Sequence, residues 1–247
     1  MTALLASVRS LEEAGIAAAG GADILDLKEP DAGALGAVSL KIAYDVVRFI
    51  GGRLPVSATV GDLRGYCGRL RRAVAAVADT GVDIVKVGLF EESERAEVLR
   101  VLRAAAGTGT RLVAVLFADR RTDLSVDDIA GAGFFGVMID TAEKRSGSLR
   151  DHMDDVQLRR FVVMAQHADL RCGLAGSLMP EDIPALLDCE PDYLGFRGAL
   201  CEQGQRGERL SVERLRAVRA AVRMQDRTRA GSATNEGAGV SILAGGY

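Results

Sequence analysis

The sequence predicts a single (β/α)₈ barrel, a class in which eight parallel strands close into a ring surrounded by helices. Eight apolar runs alternate along the chain with segments of helical periodicity. The length of 247 residues is close to the roughly 250 that such a barrel needs. No GxGxxG motif follows the first apolar run, so an open nucleotide-binding sheet is the weaker alternative.

The predicted strands are short and almost continuously apolar, as expected for parallel strands that are covered on both faces. After about residue 225 the chain is small, polar and without periodic apolar residues. We therefore expect a barrel domain over 1–225 and a flexible tail over 226–247. The eight strands are expected at 3–7, 23–27, 54–59, 83–87, 112–117, 135–139, 171–175 and 192–196.

Composition narrows the class of ligand. The formal charge is only −3 and 48% of the residues are hydrophobic, which indicates neither a nucleic-acid groove nor a partner membrane surface. The first residues lack the basic segment and long apolar stretch of a signal peptide, and no apolar run approaches the roughly 20 residues of a bilayer span. A cytoplasmic protein that binds small metabolites is expected, and a homo-oligomer is left open.

The cysteines and histidines do not form a recognisable metal or redox motif. No cysteine has CxxC or His-paired spacing, and His152 and His167 have no partner at triad spacing. The absence of HExxH, P-loop and GxSxG motifs leaves hydrolase and nucleotide-dependent functions without support. We therefore predict no metal and no cofactor. The cysteines, expected to be reduced and buried, are Cys67, Cys172, Cys189 and Cys201.

The even-numbered strands resemble one another when GADILDLK, GVDIVKVG, GFFGVMID and EPDYLGFR are superposed without gaps. Because side chains alternate between the two faces of a strand, corresponding inward residues should share a level in the barrel. The upper level lies at the carboxyl ends of the strands, where barrel enzymes place their chemistry. The lower level holds Asp26, Lys86, Met138 and Gly195, and the upper level holds Lys28, Gly88, Asp140 and Arg197.

Two inward lysines indicate amine chemistry. Asp26 and Lys28 point to the same side of their strand, and an ion pair that only fixes strand register is one explanation. Lys86 adds a second inward amine, and repulsion between like charges together with desolvation favours the neutral, nucleophilic form. A neutral lysine forms imines with carbonyl compounds. This hypothesis requires that the nitrogens of Lys28 and Lys86 lie close together in one cavity.

Two further groups of residues are candidates for the mouth of the barrel. Asp140 ends the sixth strand, and Lys144 follows in a loop that could fold over the site or simply face solvent. Ser57 or Thr59 should point inward from the third strand, with Asp62 in the loop beyond. Lys41, on a helical stretch, is interpreted as a surface charge.

The seventh and eighth strands end in GLAGSL and GFRGAL. Glycines allow backbone N–H groups to approach an anion, and a helix beginning near Met179 would add its positive end. The loops after these two strands form the usual phosphate site of the barrel class. We therefore assign Gly176, Ser177, Arg197 and Gly198 to a substrate phosphate, although ordinary turn glycines are the alternative.

The strings GGADILDLKEPDAGALGA, VSATVGD, DIVKVGL, IDTAEK, LAGS and GFRGALC together resemble the (5-formylfuran-3-yl)methyl phosphate synthase family of methanofuran and methylofuran biosynthesis. The resemblance runs from about residue 3 to 223. It implies a (β/α)₈ barrel that condenses two molecules of glyceraldehyde 3-phosphate into a phosphorylated furan aldehyde, with release of phosphate and water. No metal is implied, because an imine takes over the role of a Lewis acid.

The same resemblance implies roles for individual residues. The Schiff-base lysine of the family matches Lys28, and its proton-accepting lysine matches Lys86. Asp26, which matches the aspartate of the first motif, would hold Lys28 and relay protons, while Asp140 and Lys144 match the aspartate and the lysine of the sixth-strand motif. Two other functions remain open: a class I aldolase of the deoxyribose-phosphate type, which shares the lysine chemistry, and a non-catalytic barrel that binds a phosphorylated ligand.

Overall fold

A computed structural model shows eight parallel strands that form a closed barrel in chain order, with β8 paired back to β1. The model describes residues 1–63, 67–90, 95–120, 125–143 and 146–236. The predicted fold class is confirmed, and each predicted strand overlaps the observed one. The strands are β1 Ala3–Val8, β2 Ile24–Leu27, β3 Val56–Thr59, β4 Ile84–Gly88, β5 Leu112–Phe117, β6 Gly136–Asp140, β7 Arg171–Leu174 and β8 Tyr193–Phe196.

Helices follow the strands and cover the outer face of the barrel. The amphipathic stretch 40–50 forms a helix over the same residues, and Ser39 caps it by accepting a hydrogen bond from the N–H of Ile42. The helices are α1 Leu11–Gly20, α2 Leu40–Ile50, α3 Cys67–Ala78, α4 Arg95–Ala106, α5 Val126–Gly131, α6 Leu149–His152, α7 Asp155–His167, α8 Ile183–Leu187 and α9 Val212–Glu236.

Apolar side chains form two separate cores. The larger core lies between the outer face of the strands and the helices, and it contains residues such as Leu25, Val85 and Leu194. The smaller core fills the lower part of the barrel interior with alternate residues of the same strands, including Val113 and Tyr193. Because each strand supplies apolar residues to both cores, its sequence is nearly continuous in apolar residues.

The carboxyl-terminal part of the chain has a longer helix than expected. Helix α9 runs to Glu236, across the boundary that we predicted at 225, and residues 237–247 lie outside the described part. Whether 226–247 behaves as a flexible tail stays a prediction. In the described part of the chain, none of the helices combines the length and the apolar character needed to cross a bilayer.

Candidate active site

A cavity of about 250 Å³ opens at the carboxyl ends of the strands. Its floor is the interior core, and its wall is formed by polar side chains of β2, β4 and β6 together with the loops after β7 and β8. The predicted site residues that line it are Asp26, Lys28, Lys86, Asp140, Gly176, Ser177, Arg197 and Gly198.

The deeper part of the cavity holds an ion pair between β4 and β2. Lys86 Nζ lies 2.9 Å from Asp26 Oδ2, and the two residues are 3% and 1% exposed. The Asp26 carboxylate also accepts hydrogen bonds from Ser57 Oγ at 2.7 Å and Ser7 Oγ at 3.1 Å. Three donors therefore satisfy a charge that would otherwise be costly to bury. Sequence reasoning missed Ser7, although its inward position two residues after Leu5 could have indicated it.

A second ion pair lies at the mouth, between the end of β2 and the end of β6. Lys28 Nζ donates to Asp140 Oδ2 at 3.2 Å, and the side chains are 10% and 7% exposed. The other oxygen of Asp140 accepts the N–H of Thr141 at 2.7 Å. The backbone thus fixes the carboxylate, while the amine of Lys28 is the group that reaches the cavity from a flexible side chain.

The two pairs agree with the predicted levels but correct the predicted partner of Asp26. We expected Asp26 to hold Lys28, and the structure instead pairs Asp26 with Lys86 across β3. Both lysines line the same cavity, and the close approach of their nitrogens that the amine hypothesis requires stays a prediction. However, each amine is hydrogen-bonded to a carboxylate, so repulsion between the two lysines is not the only electrostatic interaction that acts on them.

The loop after β7, which we predicted to bind an anion, has left-handed backbone at two consecutive residues. Gly176 and Ser177 both have positive φ, of 117° and 50°. A Cβ at position 176 would lie 3.0 Å from Thr141 Cγ2, so glycine is required by conformation and by space. Within the described residues, the N–H groups of Gly176, Ser177, Gly198 and Ala199 have no acceptor, and all four residues line the cavity.

The helix that we expected to begin near Met179 does not supply a positive end to this loop. A 3₁₀ turn at Pro180–Asp182 leads into the five-residue helix α8. Asp182 Oδ2 accepts the N–H of Met179 at 2.8 Å, so an acidic side chain already occupies the start of the turn. Among the described residues, the backbone N–H groups of the loop itself are the donors that remain without an acceptor.

The side chain of Arg197 does not fit its predicted role as a phosphate ligand. Its guanidinium forms two hydrogen bonds with Glu13, at 2.5 and 3.1 Å. The remaining donors bind the carbonyl oxygens of Ser7, Arg206 and Glu208. Because a guanidinium has five N–H donors, none is left for a substrate. Arg197 instead ties the end of β8 to α1 and β1.

Thr59, in contrast to Arg197, does not line the cavity. Its hydroxyl lies 2.9 Å from the carbonyl oxygen of Gly36 and 3.3 Å from that of Leu27, and the residue is 1% exposed. The prediction that Thr59 binds substrate is thus not supported by this geometry. Of the two inward candidates on β3, Ser57 is the one that contacts a charged residue of the site, namely Asp26.

The loops around the mouth are held by two aspartates. Asp62, whose role was left open, accepts the N–H groups of Ala34 and Leu35 at 3.0 and 2.7 Å. Asp119 accepts those of Ala142 and Glu143 at 2.8 and 2.6 Å, just after Asp140. No signal in the sequence had marked Asp119.

Burial raises the pKa of Asp119, but backbone hydrogen bonds from Ala142, Glu143 and Asp119 itself, together with the nearby His152, outweigh burial, and the pKa lies below its ordinary value. The carboxylate therefore stays charged and keeps the loop after β6 in place. Lys144, further along this loop, lies outside the described residues.

The remaining candidates lie away from the cavity. Lys41 is exposed and pairs with Asp45, and His152 is hydrogen-bonded to Ser146. Burial raises the pKa of Cys172, Cys189 and Cys201. The part of the chain that the structure describes contains no cluster of three His, Cys, Asp or Glu side chains suited to a metal ion.

The barrel and its polar cavity define a (β/α)₈ barrel enzyme. The chain belongs to the 4-HFC-P synthase family, whose model matches residues 4–219. A Methylorubrum extorquens relative is 40% identical over 223 residues, which cover 89% of this chain and 91% of that protein. The (5-formylfuran-3-yl)methyl phosphate synthase of Methanopyrus kandleri is 38% identical, with 82% and 91% covered. The family resemblance seen in the sequence is confirmed.

Solved structures agree on the fold. Phosphoribosyl anthranilate isomerase of Thermus thermophilus superposes with a TM-score of 0.65 at 16% identity, covering 91% of this chain and 99% of that protein. The 3-hexulose-6-phosphate synthase of Salmonella typhimurium gives 0.62 at 13% identity, with 91% and 100% covered. At such low identity these similarities establish the barrel alone.

Proposed function

We propose that the protein condenses two molecules of glyceraldehyde 3-phosphate into (5-formylfuran-3-yl)methyl phosphate, as a step in the biosynthesis of a methanofuran-type cofactor. The observation that carries the proposal is the pair of buried lysines, each on its own carboxylate, in a single cavity of a chain of this family. Four buried charges are costly for a purely structural role, because apolar residues would stabilise the barrel at least as well.

Lys28 is the residue we assign to the imine. It lies at the mouth, where an incoming carbonyl arrives first, and its amine is bound to a single oxygen of Asp140. As the amine attacks the carbonyl carbon, Asp140 accepts the proton that the ammonium gives up, and later returns it to the departing water. The resulting iminium withdraws electrons and acidifies the neighbouring carbon.

Lys86 is assigned to the removal of that proton. The amine lies one level below the imine and takes the proton from the carbon to give an enamine, which attacks the aldehyde of a second triose phosphate. Asp26, held by Ser7 and Ser57, stabilises the protonated form of Lys86. Closure and aromatisation of the ring follow, and release of the product from Lys28 restores the free amine. Over the whole reaction, two triose phosphates give one furan phosphate, one inorganic phosphate and two water molecules. Lys144 is assigned to the catalytic site by the family resemblance alone.

The N–H groups of Gly176, Ser177 and Gly198, which have no acceptor among the described residues, are assigned to a substrate phosphate. They lie beside the lysines in the same cavity, so a bound phosphate would place the carbonyl of a short triose close to Lys28. Holding the reacting atoms in this way replaces a bimolecular encounter by an intramolecular one, which is a large contribution to rate.

Incubation of the purified protein with glyceraldehyde 3-phosphate alone tests the proposal. A furan absorption band that grows in step with released inorganic phosphate supports the synthase. A reversible aldol product without phosphate release would instead indicate a class I aldolase. Retention of the triose phosphate without turnover would indicate a binding protein. Borohydride treatment during turnover, followed by peptide mass mapping, should place the reduced adduct on Lys28.

A further inference from the structure

We propose that Arg206 is the cationic residue that binds the substrate phosphate, in the place that the sequence suggested for Arg197. The inference rests on the proposed function only in taking the ligand to carry a phosphate group. Arg206 lies in the loop after β8 and lines the cavity together with Gly198 and Gly204.

The first argument is the balance of charge in the cavity. Its lining contains four basic residues, of which Lys28 and Lys86 are paired with Asp140 and Asp26. The third, Arg197, is paired with Glu13. Among the described residues, Arg206 is the cavity-lining cation that has no carboxylate within salt-bridge distance. A bound phosphate would supply the missing negative charge.

The second argument is the number of hydrogen-bond donors that Arg206 keeps. Its Nη2 binds the carbonyl oxygens of Pro30 and Gly33, at 2.5 and 3.1 Å. In the described part of the chain, Nε and Nη1 have no acceptor, so three N–H groups remain. This is the opposite of Arg197, whose five donors are all in use. A guanidinium that is fixed on one side and free on the other suits an oxyanion.

The third argument is that the backbone of Arg206 is held in place. The carbonyl oxygen of Arg206 accepts a hydrogen bond from Arg197 Nε at 2.9 Å. A Cβ at Gly198 would lie 3.1 Å from the carbonyl oxygen of Gly204, so the missing side chain lets this segment close onto the end of β8. Arg197 thus acts as a positioning residue for Arg206, and Glu13 positions Arg197.

The anchor on Pro30 also links phosphate binding to the imine lysine. Pro30 follows Lys28 by two residues and lines the same cavity. A phosphate held by Arg206 and by the N–H groups of Ser177 and Gly198 would therefore lie between the loop after β7 and the loop that begins at Lys28. Arg206 would then contact both the phosphate and the carbonyl oxygen of Pro30. We therefore expect a bound phosphate to fix the position of the segment next to the reactive amine.

Titration calorimetry with inorganic phosphate tests the inference without any turnover. We expect R206Q to bind phosphate about 10- to 100-fold more weakly than the wild type, since it loses charge-assisted hydrogen bonds. R206K keeps the positive charge but loses the planar set of guanidinium donors, so its affinity for phosphate should be intermediate. The control is R209Q in the same loop, because Arg209 is exposed, pairs with Glu12 and does not line the cavity.

A second measurement separates phosphate binding from a structural effect on the loop. Borohydride trapping is compared for glyceraldehyde 3-phosphate and for glyceraldehyde without phosphate. If Arg206 binds phosphate, R206Q raises the half-saturating concentration of the phosphorylated aldehyde at least tenfold and leaves that of glyceraldehyde unchanged. Equal losses for both aldehydes would show that Arg206 only supports the loop, which overturns the inference.

The remaining outcomes are also decisive. Equal phosphate affinity in R206Q and wild type, or no saturable binding to the wild type, overturns the inference. If R206Q does not fold, R206K takes its place, and an unchanged affinity in R206K has the same meaning. The wild type could also bind phosphate in a way that depends on Arg206 and yet form no imine that borohydride traps. That result would refute the proposed function and leave this inference standing.

Discussion

The two lysine–aspartate pairs of the cavity differ in how firmly they are held. In the deep pair, Asp26 is hydrogen-bonded to two serines as well as to Lys86, and the side chains are 4% and 1% exposed. In the pair at the mouth, Lys28 is 3.2 Å from Asp140 and the side chains are 10% and 7% exposed. The deep pair lies in the buried interior, and the outer pair faces the cavity opening.

This difference suggests a division of labour. An amine that must rotate, attack a carbonyl and carry the substrate needs a weakly held position, which Lys28 has. An amine that only accepts and returns a proton works best at a fixed place below the substrate, which Lys86 has. The predictions below separate the two roles, because each substitution removes one functional group from one of the two pairs or from a residue that holds it in place.

The largest expected effect is that of Lys28→Arg. The guanidinium keeps a positive charge opposite Asp140, but it stays protonated and cannot form an imine. We expect loss of the borohydride-trapped adduct and a fall in activity of more than roughly 10³-fold. Mass mapping after trapping and a furan absorbance assay measure the two effects. An adduct of wild-type yield in this variant would assign the imine to another amine.

Lys86→Met should reduce turnover by about 10² to 10⁴-fold, the range typical for loss of a general base. Trapping of the first imine on Lys28 should persist, because the amine of Lys28 is unchanged. Single-turnover trapping compared with steady-state furan formation distinguishes the steps. If Lys86→Met abolished both, the proposed separation between the two lysines would be wrong.

The same substitution should also destabilise the fold. Without Lys86 the buried carboxylate of Asp26 loses its countercharge, and breaking a buried pair on one side typically costs about 3 to 5 kcal/mol. The double variant Asp26→Asn with Lys86→Met removes the charge as well and should recover part of the loss. Urea denaturation of the wild type, the single variant and the double variant measures these differences in the free energy of unfolding. Equal stability of the single and double variants would contradict the view that the pair is desolvated.

Ser57→Ala gives a smaller effect that is specific to the deep pair. It removes the 2.7 Å hydrogen bond to Asp26 and should cost about 1 kcal/mol of stability. Activity should fall too, because Asp26 is less firmly placed against Lys86. Thr59→Val is the matched control, since it removes a hydroxyl from the same strand outside the cavity. Stability should fall in both variants, and activity only in Ser57→Ala.

The smallest expected effect is that of Asp119→Asn, which changes how the stability of the protein depends on pH. Asp119 has a lowered pKa in the folded protein, so its contribution to stability is fully present above its unfolded value of about 3.9. That contribution is lost as the pH falls through the folded pKa. The difference in melting temperature between wild type and Asp119→Asn should therefore be seen at neutral pH and disappear in acid. A difference that persists at the lowest pH would exclude this role.

The fold was predictable because strand burial leaves a strong pattern in the residues themselves. Strand β5 is apolar from Leu112 to Phe117 and was predicted with the observed bounds. The superposed even strands also placed Asp26 with Lys86 and Lys28 with Asp140 at common levels, and the hydrogen bonds join the same residues. These features depend on the alternation of side chains along a strand, which is local.

The errors concern contacts between distant segments. The role of Arg197 is decided by Glu13, which is 184 residues away, and no local pattern indicates that partner. Arg206 lies in an irregular loop, where position relative to the cavity depends on the closure of the barrel. Thr59 points inward as expected, but the carbonyl oxygen of Gly36, which occupies its hydroxyl, belongs to a loop of no regular structure.

The closure of β8 on β1 has a consequence for how the protein is made. Arg197 finds its acceptors on the first strand and first helix, and Arg206 finds its own in the loop after β2. On the ribosome, the two arginines emerge after almost all of the barrel has been synthesised. A nascent chain that ends before them can pair most of its strands, yet the groups that we propose to bind phosphate come together only when the ring closes.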